Sequence, residues 1–116
     1  MYTVYGIPNC DTVKKTLDWL KKHKIEYSFH NYKTDGITAA KLHEWSKQVG
    51  WETILNKKST TWKQIGPEAQ AKITNEKNAV AALKENTSMV KRPVIEKGDK
   101  VVAVGFNEAA YETTFK

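Results

Sequence analysis

The chain contains one cysteine, Cys10, in the segment Gly-Ile-Pro-Asn-Cys-Asp-Thr at residues 6–12. It stands where a short β-prone run ends and a helical pattern begins. The positive end of a helix and its free amides favour the thiolate, which is the nucleophilic form. Thr12 adds a hydroxyl and Lys14 a cation, whereas Asp11 opposes a second negative charge. A buried, inert cysteine is the alternative, but this position favours a reactive thiol.

A second candidate, the pair Arg92-Pro93, directly precedes a predicted strand. An arginine binds an anion through forked hydrogen bonds, and a proline here leaves the preceding backbone groups open to a bound peptide. A solvated arginine with a strand-start proline is the alternative, and for the pair taken alone it is the favoured one. The residues alone leave the peptide bond between them cis or trans.

The segment Asn-Lys-Lys-Ser-Thr-Thr-Trp at 56–62 combines cations, hydroxyls and an aromatic ring in a predicted loop. Lys57 is therefore a candidate to hold an anion or a substrate peptide. An ordinary basic loop anchored by Trp62 fits this composition equally well. The histidines lie on separate elements without metal-ligand spacing, so no metal site is predicted. They are His23, His30 and His43.

The elements that must position these residues follow from hydrophobic periodicity and turn signals. Their predicted order is strand, helix, strand, several helices, hairpin and helix. Their bounds are about 2–5, 11–24, 26–32, 38–88, 93–104 and from 107 onward. The expected helix caps are Thr38, Asn75 and Asn107, with Pro67 at a first helical position.

This order predicts a thioredoxin-like α/β fold with a mixed four-stranded sheet (βαβ … ββα). A helical insertion at about 38–88 would separate the two halves of that sheet. No linker, repeat or low-complexity segment interrupts the 116 residues. The chain is therefore predicted to form a single domain over residues 1–116.

Composition narrows the class of protein. No window approaches the roughly 20 apolar residues of a membrane helix, and the N-terminus lacks a secretory signal. A single cysteine cannot form an internal disulfide, so a cytoplasmic location without membrane association is expected. The net charge of +6 comes from lysines spread along the chain. A basic surface that attracts small anions is favoured over nucleic-acid binding.

The chain resembles, almost end to end, the arsenate reductase/Spx family of thioredoxin-fold proteins. The markers are the segment 6–12, Lys-Arg-Pro at 91–93 and Val-Gly-Phe at 104–106. The Ile-Pro-Asn-Cys-Asp-Thr start and Thr-Thr-Trp at 60–62 are most similar to the YffB-type branch. In this family a cysteine attacks an oxyanion or disulfide, and an external thiol resolves the adduct when no second cysteine is present.

The resemblance implies that Cys10 is the nucleophile, Arg92 the anion clamp and Pro93 a cis-proline. It implies no bound cofactor, with glutathione as co-substrate and glutaredoxin as a candidate partner. The partner expected from the chemistry is glutathione or another thiol or disulfide substrate. The residues expected to bind this substrate are Thr12, Lys14, Lys57 and Pro93.

The chain departs from the arsenate reductases of this family at four positions. Gly6 and Lys14 replace a histidine and an arginine, Asn56 aligns with a second arginine, and about Gly105 a third is missing. Of the anion-binding arginines of these enzymes, only Arg92 remains in this chain. Losing a charge-assisted donor typically costs about 2.7–4 kcal/mol at such a site. We therefore expect thiol exchange rather than efficient arsenate reduction.

The leading hypothesis is a glutathione-dependent thiol oxidoreductase in which Cys10 forms a mixed disulfide resolved by an external thiol. An arsenate reductase with weak activity is one alternative. A non-catalytic, Spx-like redox or transcription adaptor is the other. Val13 stands where Spx regulators often carry the second cysteine of a Cys-x-x-Cys motif, so an internal disulfide switch is excluded.

Overall fold

The computed structural model describes residues 2–115. The segment Gly36–Lys91 forms one compact unit, and the described residues before and after it form another, which contains the sheet. The predicted helical insertion between the two halves of the sheet is confirmed. That the whole chain behaves as a single domain remains a prediction.

The sheet has four strands in the order β2-β1-β3-β4. β1 (Tyr2–Gly6) pairs in parallel with β2 (Tyr27–Asn31) and antiparallel with β3 (Val94–Lys97). β3 pairs antiparallel with β4 (Lys100–Val104). The mixed four-stranded sheet is therefore as predicted, and β3 lies between two neighbours.

Two helices, α1 (Asp11–Lys22) and α7 (Glu108–Thr114), pack against one face of this sheet. The buried side chains of α1 are Val13, Thr16, Trp19 and Leu20. α1 ends earlier than expected because Lys24 has a φ of 58°, outside the helical region. The core cluster consists of Val4, Trp19, Leu20, Ile95 and Tyr111.

The segment after β2 turns earlier than predicted. Tyr32 was expected to end β2, but it begins the short helix α2 (Tyr32–Asp35). The amide of Lys33 donates to Asn31 Oδ1 at 2.9 Å, a local side-chain contact that turns the backbone at the end of the strand.

The compact unit Gly36–Lys91 is helical. It contains α3 (Ala39–Val49), α4 (Trp51–Ile54), α5 (Thr60–Lys72), α6 (Glu76–Glu85) and a 3-10 helix at Thr87–Met89. Its fully buried side chains include Leu42, Trp45, Ile54, Leu83 and Met89.

Within this unit, α5 overlaps the predicted loop at 56–62, so that prediction was wrong from Thr60 onward. Ser59 Oγ accepts a hydrogen bond from the Trp62 amide at 3.1 Å and so caps the helix. α5 is interrupted at Gly66, where φ is 85°, and Pro67 begins its second segment as expected. Among residues 2–115, no helix is both long and apolar enough to cross a membrane.

Candidate active site

Cys10 is the N-cap residue of α1, with extended backbone angles of φ −115° and ψ 123°. Its carbonyl oxygen accepts the first helical hydrogen bond, from the Lys14 amide at 2.9 Å. Its side chain is a free, half-buried thiol. Because the first-turn amides of a helix have no intrahelical acceptor, they are available to the sulfur.

The sheet brings Arg92 to this sulfur. Tyr5, near the end of β1, lies opposite Val94, the first residue of β3. Since these strands run antiparallel, the chain leaving β1 toward Cys10 and the chain entering β3 from Arg92 meet at the same end of the sheet. The Arg92 side chain lies close enough to the cysteine sulfur to lower its pKa, both as a hydrogen-bond donor and as a positive charge.

Burial raises the pKa of Cys10, but four interactions together lower it below its ordinary value. In order of size, these are with the Val13 amide, the Arg92 side chain, the Thr12 amide and the positive charge of Arg92. The sulfur makes no capping hydrogen bond of standard geometry with the first turn. The two amides therefore act on the thiolate mainly as oriented dipoles, and Arg92 supplies the full charge.

The Arg92–Pro93 peptide bond is cis, as the resemblance implies. Pro93 is buried, and its carbonyl oxygen accepts a hydrogen bond from the Gly105 amide at 2.7 Å. Because this carbonyl is engaged and β3 is flanked on both sides, a peptide bound here would pair with backbone that precedes Pro93.

The structure thus brings together Cys10, Thr12, Arg92 and Pro93. Thr12 contributes its amide, as expected for the start of a helix, whereas the prediction for its side chain rested on the hydroxyl. The Lys14 side chain is exposed.

Lys57 lies in the helical unit, where its ammonium is 6.0 Å from the centre of the Trp62 ring. The substrate-binding roles of the expected residues stay predictions. In the part of the chain that the structure describes, no group of three His, Cys, Asp or Glu side chains is placed to hold a metal ion.

A buried polar cluster beside Arg92 was not anticipated from the sequence. Burial raises the pKa of Tyr32 well above its usual range, and the neighbouring Tyr5 phenol raises it further. The charge of Arg92 opposes this effect and that of Glu96 adds to it, which places both groups near the phenol. Glu96 is 1% exposed, which is rare for a carboxylate. Its position directly after two apolar residues of β3, four residues after an arginine, was the available signal.

Gly6 packs closely against the first turn of α1. A Cβ placed on Gly6 would lie 2.8 Å from Val13 Cγ2, closer than van der Waals contact allows. Val13 is fully buried and β-branched, so its side chain has little freedom to move. The absence of a side chain at residue 6 and the bulk of Val13 are therefore matched across the strand–helix junction.

We expect Gly6→Ala to lower the free energy of unfolding by about 1–3 kcal/mol, because it overpacks this junction. Adding Val13→Ala to Gly6→Ala should cost less than the two single effects summed, by roughly 0.5–3 kcal/mol. Urea unfolding of the two single variants and the double variant, followed by circular dichroism, measures this coupling. Strictly additive costs would show that the two residues do not compete for the same space.

Comparison with known proteins places this arrangement in a family. The sequence model of the ArsC family matches residues 5–114. A protein of Haemophilus influenzae, described as uncharacterized, is 42% identical over 115 residues, or 99% of each chain. The global transcriptional regulator Spx of Staphylococcus epidermidis is 24% identical over 110 residues, covering 93% of this chain and 82% of its own.

Solved structures agree with this assignment. A structure described as YFFB protein superimposes with a TM-score of 0.92 at 40% identity and covers 100% of both chains. An arsenate reductase (ArsC) related protein from Brucella melitensis gives a TM-score of 0.78 at 42% identity, over 99% of this chain and 94% of that one. Since the family model and these relatives span nearly the whole sequence, the chain belongs to the ArsC family.

Proposed function

We propose that this protein is a glutathione-dependent thiol oxidoreductase with Cys10 as its nucleophile. The observation that carries the proposal is the sulfur environment: the Arg92 side chain and two first-turn amides lower the pKa of a half-buried thiol. A lowered pKa increases the thiolate fraction at neutral pH. The chain holds no second cysteine, so resolution must come from another molecule.

The reaction proceeds in two exchanges. Cys10 thiolate attacks one sulfur of a substrate disulfide, the S–S bond breaks, and the leaving thiolate takes a proton from water. A glutathione thiolate then attacks the Cys10 mixed disulfide and restores the Cys10 thiolate. Over the two exchanges, one substrate sulfur is released as a thiol and the other leaves in a disulfide with glutathione. When the substrate is a mixed disulfide of glutathione and Cys10 attacks its glutathione sulfur, that product is oxidised glutathione. We place this reaction in the cytoplasm, where glutathione is kept reduced.

Arg92 has two tasks in this proposal. It stabilises the Cys10 thiolate before the reaction, and its guanidinium forms forked hydrogen bonds with a carboxylate of glutathione. The first-turn amide of Thr12 assists the same sulfur, and Lys14 supplies a further cation one turn along α1. Pro93 shapes the wall beside the sulfur, and the backbone before it contacts the peptide part of the tripeptide.

Incubation with oxidised glutathione near neutral pH is expected to attach one glutathione to Cys10, detected by intact-protein and peptide mass spectrometry. Cys10→Ser should show no adduct. The urea-denatured wild-type chain should react more slowly at the same pH, because its thiol lacks the folded environment that lowers the pKa. A folded protein without adduct, whose thiol titrates like a free cysteine, would overturn the proposal.

Arsenate reduction is the second candidate function, favoured by the 42% identity to the Brucella melitensis protein described as arsenate reductase related. An assay of arsenate turnover with glutathione and glutaredoxin tests it. Turnover at the no-enzyme background would remove this candidate.

The similarity to Spx favours a third candidate, a non-catalytic redox or transcription adaptor. Pull-down of an RNA polymerase subunit would favour this candidate if Cys10→Ser had no effect on the interaction.

A further inference from the structure

Two buried hydroxyl groups connect the helix that carries Cys10 to the loop after β4. Thr16 Oγ1 lies 3.0 Å from the Thr12 carbonyl oxygen and 3.2 Å from Tyr111 Oη. Tyr111 Oη donates to the Gly105 carbonyl oxygen at 2.6 Å. Thr16 is 0% exposed and Tyr111 1% exposed. Buried hydroxyls need such partners, because an unpaired polar group in the interior costs free energy.

The protons in this network can be counted. Two hydroxyls carry two protons for three contacts, so the contacts cannot all be independent hydrogen bonds. The shortest contact, from Tyr111 to Gly105, takes the phenol proton. The Thr16 proton is then shared between the Thr12 carbonyl oxygen and the phenol oxygen. Burial raises the pKa of Tyr111, although the hydrogen bond from Thr16 opposes the rise, so the phenol stays protonated and can donate.

One end of the network meets a residue that acts on the Cys10 sulfur, and the other end meets the segment that follows such a residue. At one end, Thr12 accepts from Thr16 through its carbonyl while its amide is directed at the sulfur. At the other end, the Gly105 amide donates to the Pro93 carbonyl oxygen at 2.7 Å, directly after Arg92.

We propose that Thr16 and Tyr111 are positioning residues, which hold the first turn of α1 and the Arg92–Pro93 segment at a fixed separation around the Cys10 sulfur. This inference rests on the proposed function, in which Cys10 reacts as a thiolate. Neither hydroxyl touches the reacting atoms. Their effect is exerted through Thr12 on one side and through Gly105 and Pro93 on the other.

The hydroxyl of Tyr111 can be separated from its ring. The ring makes edge contacts with Phe106 at 5.2 Å, Phe115 at 5.2 Å and Trp19 at 5.3 Å, measured between ring centres. Phenylalanine at this position keeps these contacts and loses only the phenol oxygen. Tyr111→Phe therefore tests positioning with little disturbance of the aromatic core.

The rate at which a neutral alkylating reagent, iodoacetamide, modifies Cys10 is the measurement, recorded across pH. At neutral pH we expect Tyr111→Phe to slow alkylation about threefold to tenfold, the factor expected for one neutral hydrogen bond. The midpoint of the pH–rate profile should move upward. Tyr27→Phe is the matched control, since Tyr27 packs against the same core cluster. It should leave the midpoint unchanged.

Thr16→Val removes the other hydroxyl at nearly constant volume and should shift the midpoint of the pH–rate profile in the same direction. Thr16→Ser keeps a hydroxyl and should keep the wild-type midpoint. The double variant should slow alkylation no more than the stronger single variant, because both hydroxyls lie on one path. Should Tyr111→Phe fail to fold, Thr16→Val provides the same measurement.

Variants that melt at lower temperature but keep the wild-type midpoint would overturn the inference, because a purely structural role predicts that result. The outcome is separable from that of the proposed function. A wild-type protein that forms no glutathione adduct contradicts the proposed function. An upward midpoint shift in Tyr111→Phe supports the positioning role in either case.

Discussion

Arg92→Gln is expected to raise the pKa of Cys10 and to slow its reaction with oxidised glutathione at neutral pH by about tenfold to a hundredfold. The range follows from the loss of one charge-assisted hydrogen bond, worth about 1.5–3 kcal/mol. Arg92 acts on the sulfur both as a hydrogen-bond donor and as a positive charge. Glutamine keeps a donor of similar shape but removes the charge.

The pH dependence gives the sign of this effect. Arg92 favours the thiolate, so its loss reduces the thiolate fraction most strongly below the ordinary pKa of cysteine. At higher pH the Cys10 thiol is fully ionised in both proteins, and a thiolate of higher pKa is intrinsically more nucleophilic. The rate difference between wild type and Arg92→Gln should therefore shrink as pH rises.

The free energy of unfolding also depends on pH through the lowered pKa of Cys10. A cysteine whose pKa is lowered on folding stabilises the native state above its unfolded pKa, and this contribution is lost as pH falls through the folded value. The wild type should therefore gain stability relative to Arg92→Gln as pH rises through this window. Urea unfolding at several pH values measures the gain.

Two reagents separate the two proposed tasks of Arg92. Iodoacetamide is neutral and reports the state of the thiol, whereas oxidised glutathione also carries carboxylates. Arg92→Gln should slow both reactions, and the reaction with oxidised glutathione more strongly. Arg92→Lys is the conservative control: it keeps the charge without the fork, and should preserve much of the iodoacetamide rate but less of the glutathione rate. Equal losses with both reagents would show that Arg92 does not bind the substrate.

Trp45→Ala is expected to lower the free energy of unfolding by about 3–5 kcal/mol, as is usual for truncating a buried tryptophan. Trp45 is 0% exposed and is the largest fully buried side chain among the described residues. Trp51→Ala is the matched control in the same helical unit. Because Trp51 is only partly buried, its loss should be clearly smaller. Urea unfolding followed by far-ultraviolet circular dichroism measures both.

The same variant tests the single-domain prediction, since Trp45 and Cys10 lie in different compact units. Both ends of the helical segment are joined to the sheet-containing unit, so we expect them to unfold together. The fall in the reactivity of Cys10 toward iodoacetamide on unfolding should then move to lower urea concentration together with the circular dichroism transition in Trp45→Ala. An unmoved cysteine transition would show that the units unfold independently.

Local features of this fold could be predicted because their causes lie within a few residues. Three helix caps were predicted and are confirmed: Thr38 accepts from Lys41 at 3.1 Å, Asn75 from Asn78 at 2.9 Å, and Asn107 from Ala110 at 3.0 Å. The fourth cap, Ser59, was missed. It lies in a polar segment whose composition is typical of a loop, although its side chain caps a helix through the same kind of hydrogen bond as the other three.

The sequence by itself determined the candidate nucleophile and its local setting, a lone cysteine at the start of a helix, since amide direction and helix polarity follow from local backbone geometry. The residues alone favoured a solvated arginine at residue 92. Only the antiparallel pairing of β1 with β3 brings Arg92 to the Cys10 sulfur. The tight fit of Gly6 against Val13, and the hydroxyls that link the Cys10 helix to Pro93, likewise join residues distant along the chain or on different elements. Such contacts depend on packing, which no local pattern encodes.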